Sequence, residues 1–211
     1  EHSRVLFEIS SDSGHTSVPS KGTTRSGSVD GTALRTLVAE DDPINLKVLR
    51  KRLEKAGHEV QHAVNGEDCA TVYKESPDSF DVILMDMQVS ELPTKSVAAF
   101  SDIFQMPIVD GFTSTKMIRD TEKSDEHKGH SHLAGINGRI PIFAVSASLI
   151  ESQKQTYVDA GFDGWILKPI DFKRLNTLLA GIRDTQTRNS SLYVQGQWER
   201  GGWFASREAS E

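Results

Sequence analysis

Cysteine is nearly absent: the 211 residues include one, Cys69. That excludes an internal disulfide framework and suits a reducing, cytoplasmic setting. Apolar residues are sparse as well. They make up 36% of the chain, against about 45–50% (Gly included) in ordinary globular proteins. Part of the chain is therefore expected not to pack. No apolar run approaches a membrane span and no signal peptide is visible, so no membrane contact is expected. Positive charge is not in excess, with 24 Lys and Arg against 30 Asp and Glu and a net charge of −6. No nucleic-acid surface is expected on that balance, and no helix-turn-helix or other output motif is visible. The first residue is Glu1 rather than Met, which reads as a fragment or processed product with upstream domains missing.

What is present divides into three stretches. Residues 1–33 read as the end of an upstream region, with a strand at Arg4–Ile9, followed by a flexible linker rich in Ser, Gly and Thr. Residues 34–183 carry regular patterning. Residues 184–211 read as a polar, disordered tail, although Trp198, Trp203 and Phe204 leave open a docked alternative.

Within 34–183, apolar runs alternate with helical periodicities. Strands are expected at 34–39, 58–64, 81–85, 140–145 and 162–167. Helices are expected at 43–56, 67–76, 113–123, 150–160 and from Phe172 to about Ile182, with a polar loop over 124–139. Asp42 and Pro43 form a helix start, and Gly57 and Gly161 form helix stops. This order predicts an α/β fold: a flavodoxin-like, doubly wound, five-stranded parallel sheet with helices on both faces.

Such a sheet presents its ligand site at the carboxyl ends of its strands. The first strand ends in Glu40-Asp41-Asp42, the third in Asp86, the fourth in Ser146 and the fifth in Lys168-Pro169. Three carboxylates on one edge repel one another and call for a cation. Oxygen ligands without His or Cys favour Mg²⁺, held by Asp41 and Asp86 with Glu40 acting through water. A carboxylate in that setting can attack phosphorus. Lys168 then neutralises one phosphoryl oxygen and the Ser146 hydroxyl binds another. Singly, each feature has a structural explanation as a helix cap, a loop or a helix start; together, in strand order, they point to phosphoryl chemistry.

Several segments carry a family resemblance: Val38-Ala39-Glu40-Asp41-Asp42-Pro43-Ile44-Asn45, Asp81–Gln88, Met106-Pro107-Ile108-Val109-Asp110-Gly111-Phe112, Ile140–Ser148 and Gly161–Pro169. They resemble the receiver domain of two-component response regulators, most closely the C-terminal receiver of fungal hybrid histidine kinases. The resemblance implies a two-component phosphorelay in which phosphohistidine, on a histidine kinase core or a histidine phosphotransfer protein, donates to Asp86. It places Mg²⁺ on Asp41, Asp86 and the Gln88 backbone carbonyl. It also implies a switch between two states in which Ser146 and the aromatic at Trp165 take part. No independent kinase core is present, so the chain reads as a fragment of a hybrid histidine kinase.

One segment departs from the family pattern. Residues 89–105 separate Gln88 from Met106, which the family joins directly. We read the segment as a translated, unspliced intron: Val89-Ser90 permits a donor-like GTAAGT, and Gln105 an acceptor-like CAG. A genuine loop is the alternative. If translated, the insertion abuts the metal site, and the alternative function is a pseudo-receiver inactivated by it and used for protein binding; independently of the insertion, an aspartyl-phosphate-forming Mg²⁺ phosphatase is the lesser alternative. The latter class carries a second Asp two residues after its nucleophile, where this chain has Gln88. His127, His130 and His132 lack fixed metal-ligand spacing and read as a solvated loop.

Overall fold

The computed structural model describes residues 33–87, 110–124 and 129–205. The expected Arg4–Ile9 strand and linker, Gln88, the 89–105 segment and His127 lie outside them.

Asp42 shows how sequence becomes local structure. Its extended backbone and carboxylate take the free N–H groups of Ile44 and Asn45, with Pro43 next in line, and α1 (Pro43–Lys55) begins. Asn65 does the same for α2 (Gly66–Glu75), accepting from the Asp68 N–H. Asp110 caps α3 (Gly111–Lys123) through the Thr113 N–H. Asp171 caps α6 (Phe172–Ala180) through Lys173 and Arg174. Gly161 ends α5 (Lys154–Ala160) in the left-handed conformation, φ 107°, where a side chain would be strained.

Between these helices run β1 (Arg35–Ala39), β2 (Glu59–Ala63), β3 (Val82–Asp86), β4 (Ile142–Ser146) and β5 (Gly164–Leu167). All four pairings among them are parallel, in the order β2-β1-β3-β4-β5. Alternate strand residues point to opposite faces. Leu37, Ile83, Met85, Ile142, Ala144 and Trp165 pack with Cys69 and Tyr73 of α2, Ile118 of α3 and Tyr157 of α5. On the other face Val38, Leu84, Phe143 and Ile166 meet Leu49 and Leu53 of α1 and Leu175, Leu178 and Leu179 of α6.

Three expectations need correction. The 124–139 loop contains a short helix, α4 (His132–Ile136), capped by Ser131. The sheet has six strands rather than five, because β6 (Gly202–Trp203) adds antiparallel to β5. The stretch from 184 to 205 is folded, not a disordered tail: α7 (Thr185–Ser190), a 3-10 turn at Trp198–Arg200 and β6 all pack on the domain. The physical reason is that three aromatics outweigh a polar average. Trp198, Trp203 and Phe204 are all buried, and an aromatic buries about 150–250 Å². Among the described residues no helix is long and apolar enough to cross a membrane.

Candidate functional site at the carboxyl edge of the sheet

Parallel pairing brings the strand exits to one edge. Asp86 closes β3 opposite Val145 of β4. Glu40 follows Ala39 at the end of β1, Ser146 ends β4, and Lys168 follows Leu167 of β5. The result is a charge cluster. Carboxylate oxygens of Glu40, Asp41 and Asp86 all lie within 4.8 Å of one another. The Lys168 ammonium sits 2.8 Å from Glu40 Oε2 and 2.8 Å from Asp86 Oδ1. These three residues come from distant parts of the chain, so the cluster exists only in the folded state. The Lys168-Pro169 peptide is cis.

Burial separates the acids. Glu40 is 3% exposed, Asp86 is intermediate and Asp41 is open to solvent. Asp86 is pushed up to about 6, chiefly because burial penalises its charge; the Lys168 hydrogen bond opposes the rise and the neighbouring Glu40 charge adds to it. The Lys168 ammonium loses hydration on burial, but the two carboxylates outweigh that loss and hold its pKa above the usual lysine range.

Other groups set the acids in place. Asp42 is occupied as the α1 cap at 2.7 and 2.9 Å, and its own N–H donates to Glu40 Oε1 at 3.2 Å. His62 Nε2 lies 2.8 Å from the Glu40 carbonyl oxygen. The strand pattern marked His62 only as a β2 residue; its parallel register opposite Val38 is what brings it beside Glu40. The Ser146 hydroxyl accepts from the Ser148 N–H at 3.2 Å and lies 3.4 Å from the Ser148 hydroxyl. Ser148 thus joins the expected set as the partner of Ser146. The Lys168 N–H donates to the Ser146 carbonyl at 2.8 Å, locking the β4 and β5 exits together.

Trp165 stands apart from the charges, on the α2/α3/α5 face of β5 and 1% exposed. The histidines differ from the acids: among the described residues Glu40, Asp41 and Asp86 form the one cluster of potential metal ligands, and His130 and His132 belong to none.

Known proteins resemble the chain in sequence and in fold. The chain is 29% identical over 158 residues to the peroxide stress-activated histidine kinase mak1 of Schizosaccharomyces pombe, covering 74% of this chain and 8% of that protein. It is 30% identical over 175 residues to hybrid signal transduction histidine kinase I of Dictyostelium discoideum, covering 79% of this chain and 8% of the relative. The chain thus spans under a tenth of these kinases. Among solved structures it resembles the receiver domain of the Arabidopsis thaliana histidine kinase CKI1, complexed with Mg²⁺ and BeF3⁻. That match has a TM-score of 0.50 and 26% identity over 71% of this chain and 89% of that one. It shares the fold of the response-regulator receiver in a co-crystal structure with the Saccharomyces cerevisiae phosphotransfer protein Ypd1, with a TM-score of 0.51 and 21% identity, covering 74% of this chain and 92% of that one. No family model matches the chain. The chain belongs to the receiver-domain family of response regulators and hybrid histidine kinases.

Proposed function

We propose that this chain is the phosphoacceptor module of a two-component phosphorelay, with Asp86 as the acceptor. The observation that carries the reading is the Lys168 ammonium at 2.8 Å from both Glu40 and Asp86. A cation shared between a buried acid and an acceptor acid can pass to a phosphoryl oxygen once Asp86 carries one. The Asp86 oxygen attacks phosphorus and the phosphorus–nitrogen bond of phosphohistidine breaks. The bond's electron pair goes to the imidazole nitrogen, and the ring leaves neutral with its proton on the other nitrogen.

The all-oxygen donor set fits Mg²⁺. Glu40, Asp41 and Asp86 would hold the ion, with the Gln88 carbonyl added on family grounds. Bound there, Mg²⁺ neutralises the charge that develops on the phosphoryl oxygens. Ser146 turns its hydroxyl from Ser148 to a phosphoryl oxygen, and Trp165 sits on the strand that follows the change. The partners are a histidine kinase core or a histidine phosphotransfer protein, without nucleic acid or membrane, in the cytoplasm. The CKI1 receiver supports the Mg²⁺ reading, because it was solved with Mg²⁺ and BeF3⁻.

The position of residues 89–105, two residues after Met87, favours a second reading: a pseudo-receiver that binds partners without accepting phosphate. One assay separates the two. Phosphoryl transfer from a labelled phosphohistidine donor is measured on the chain as it stands, on Asp86→Asn and on a version lacking 89–105. Labelling of the first and third but not of Asp86→Asn supports the acceptor reading. Labelling that survives Asp86→Asn refutes Asp86 as the site. Labelling of the shortened version alone supports the pseudo-receiver reading for the translated form and the unspliced-intron origin of the segment.

A further inference from the structure

The C-terminal stretch grips two different parts of the domain, and its two halves grip differently. The half at 201–204 holds β5 and α6. Trp203 pairs with Gly164 and Gly202 with Trp165. The Phe204 N–H donates to the Asp163 carbonyl at 2.8 Å, and the Trp203 indole donates to the Leu178 carbonyl at 3.1 Å. Glycine makes that approach possible. A Cβ at Gly164 would meet the Gly202 carbonyl at 2.5 Å, and one at Gly201 would meet the Trp165 carbonyl at 2.8 Å.

The half at 193–198 holds the connection that leaves the end of β4. The Trp198 indole donates to the Leu149 carbonyl at 2.9 Å. Glu151 accepts from the Tyr193 hydroxyl at 2.7 Å and from the Gly196 N–H at 2.9 Å. The Lys154 ammonium lies 4.4 Å over the Tyr193 ring. These contacts all fall on 149–154, which begins three residues after Ser146. Trp198 also faces back to β5: its carbonyl accepts the Trp165 indole N–H at 3.0 Å, and the two rings stack at 4.2 Å and 15°. Trp165 therefore cannot turn by itself without giving up the partner of its buried indole N–H and leaving a void behind it.

We propose that the 193–198 half of the C-terminal stretch reads the state of Asp86. This rests on the phosphoacceptor reading above. When the Ser146 hydroxyl leaves Ser148 for a phosphoryl oxygen, the Ser146–Leu149 turn is redrawn. The Leu149 carbonyl moves from the Trp198 indole, and 193–198 loosens while 201–204 stays anchored. The moving part is the bridge formed by Trp198, rather than the Trp165 ring alone.

Hydrogen exchange on the full chain tests this, with Mg²⁺ and BeF3⁻ as the probe and Mg²⁺ alone as the control. Exchange at Gly196 and Gln197 rises about fivefold or more, the low end of typical coupling between sites, while Trp203 and Phe204 keep their protection. Coupling is reciprocal, so Trp198→Phe, which removes the Leu149 bond and keeps an aromatic ring, binds BeF3⁻ more tightly. Tyr193→Phe, which removes the Glu151 bond, shifts affinity the same way and covers the case in which the first variant does not fold. Altered exchange at Ser148 with Gly196 and Gln197 unchanged overturns the coupling and leaves the acceptor reading standing. No change at Ser148, Gly196 or Gln197 overturns both.

Discussion

The carboxyl edge and the C-terminal flank are built from opposite materials. The edge gathers three carboxylates and one ammonium from three strand exits. Its charges are half desolvated, and Asp86 in particular is held at an energetic disadvantage. The flank stacks Trp165, Trp198 and Phe204 together on one face of the sheet and sets Trp203 against Phe143 on the other; all four are nearly fully buried, and the indole N–H groups of its three tryptophans are all paired. The edge stores unfavourable electrostatics that chemistry can use; the flank supplies the burial that offsets it.

The contrast can be broken at several points. The largest effect is expected in the flank. Trp203→Ala removes a ring packed edge-on against Phe143 at 4.8 Å and beneath the Arg188 guanidinium at 4.5 Å. Unfolding by urea should show a loss of about 3–5 kcal/mol. A loss below about 1 kcal/mol would mean the flank is an ornament on a domain that is stable without it.

Asp86→Asn should act in the other direction. In the fold Asp86 titrates at about 6, above its ordinary value of 3.8. The folded state therefore resists ionisation: stability falls as pH rises from about 3.8 through 6, and the deficit persists at neutral pH. Removing the charge should stabilise the metal-free protein at pH 7.5 by about 1–3 kcal/mol, since a tenfold change in proton affinity corresponds to about 1.4 kcal/mol. Solvent screening at this partly open edge places the effect below the top of that range. An Asn variant no more stable than the parent in EDTA would show that Lys168 already cancels the repulsion.

The smallest effect belongs to the opposite edge of the sheet. His58 is held below its ordinary value of 6.5 by burial first and by the Arg183 charge second; its Nδ1 accepts from the Leu34 N–H at 3.2 Å. The unfolded chain protonates this ring as pH falls through about 6.5, while the folded chain resists. Stability contributed by neutral His58 is thus present above 6.5 and is lost as pH falls toward the folded value. His58→Asn keeps an acceptor and should flatten the change in stability between about pH 7.5 and 5.5. An equal slope in both proteins would remove His58 as the cause.

How much of this was legible depended on the interaction concerned. Local signals served well: Asp42 before Pro43 marked the start of α1, and Gly161 marked the end of α5. The apolar run before Asp86 located β3. The convergence of Glu40, Asp41, Asp86 and Lys168 was legible because all four stand at strand exits of one parallel sheet. Ser148 and His62 were not, since they act by hydrogen bonds that arise only when the β4 exit turns and when β2 takes its register beside β1. The flank was misread because averages over 184–211 dilute three aromatics among polar neighbours. Its β6 is two residues long, too short to show any alternation.

The sequence by itself determined the order of the five parallel strands, the sheet edge that carries the acids and the family. Periodicity, capping and motif spacing are local properties, and each is written in neighbouring residues. Only the tertiary structure decided that Lys168 would be shared between Glu40 and Asp86, that a sixth strand would close the β5 edge, and that Trp198 would bridge Leu149 and Trp165. Those contacts join residues far apart in the chain, and burial and pairing between them have no energy until the fold brings them together.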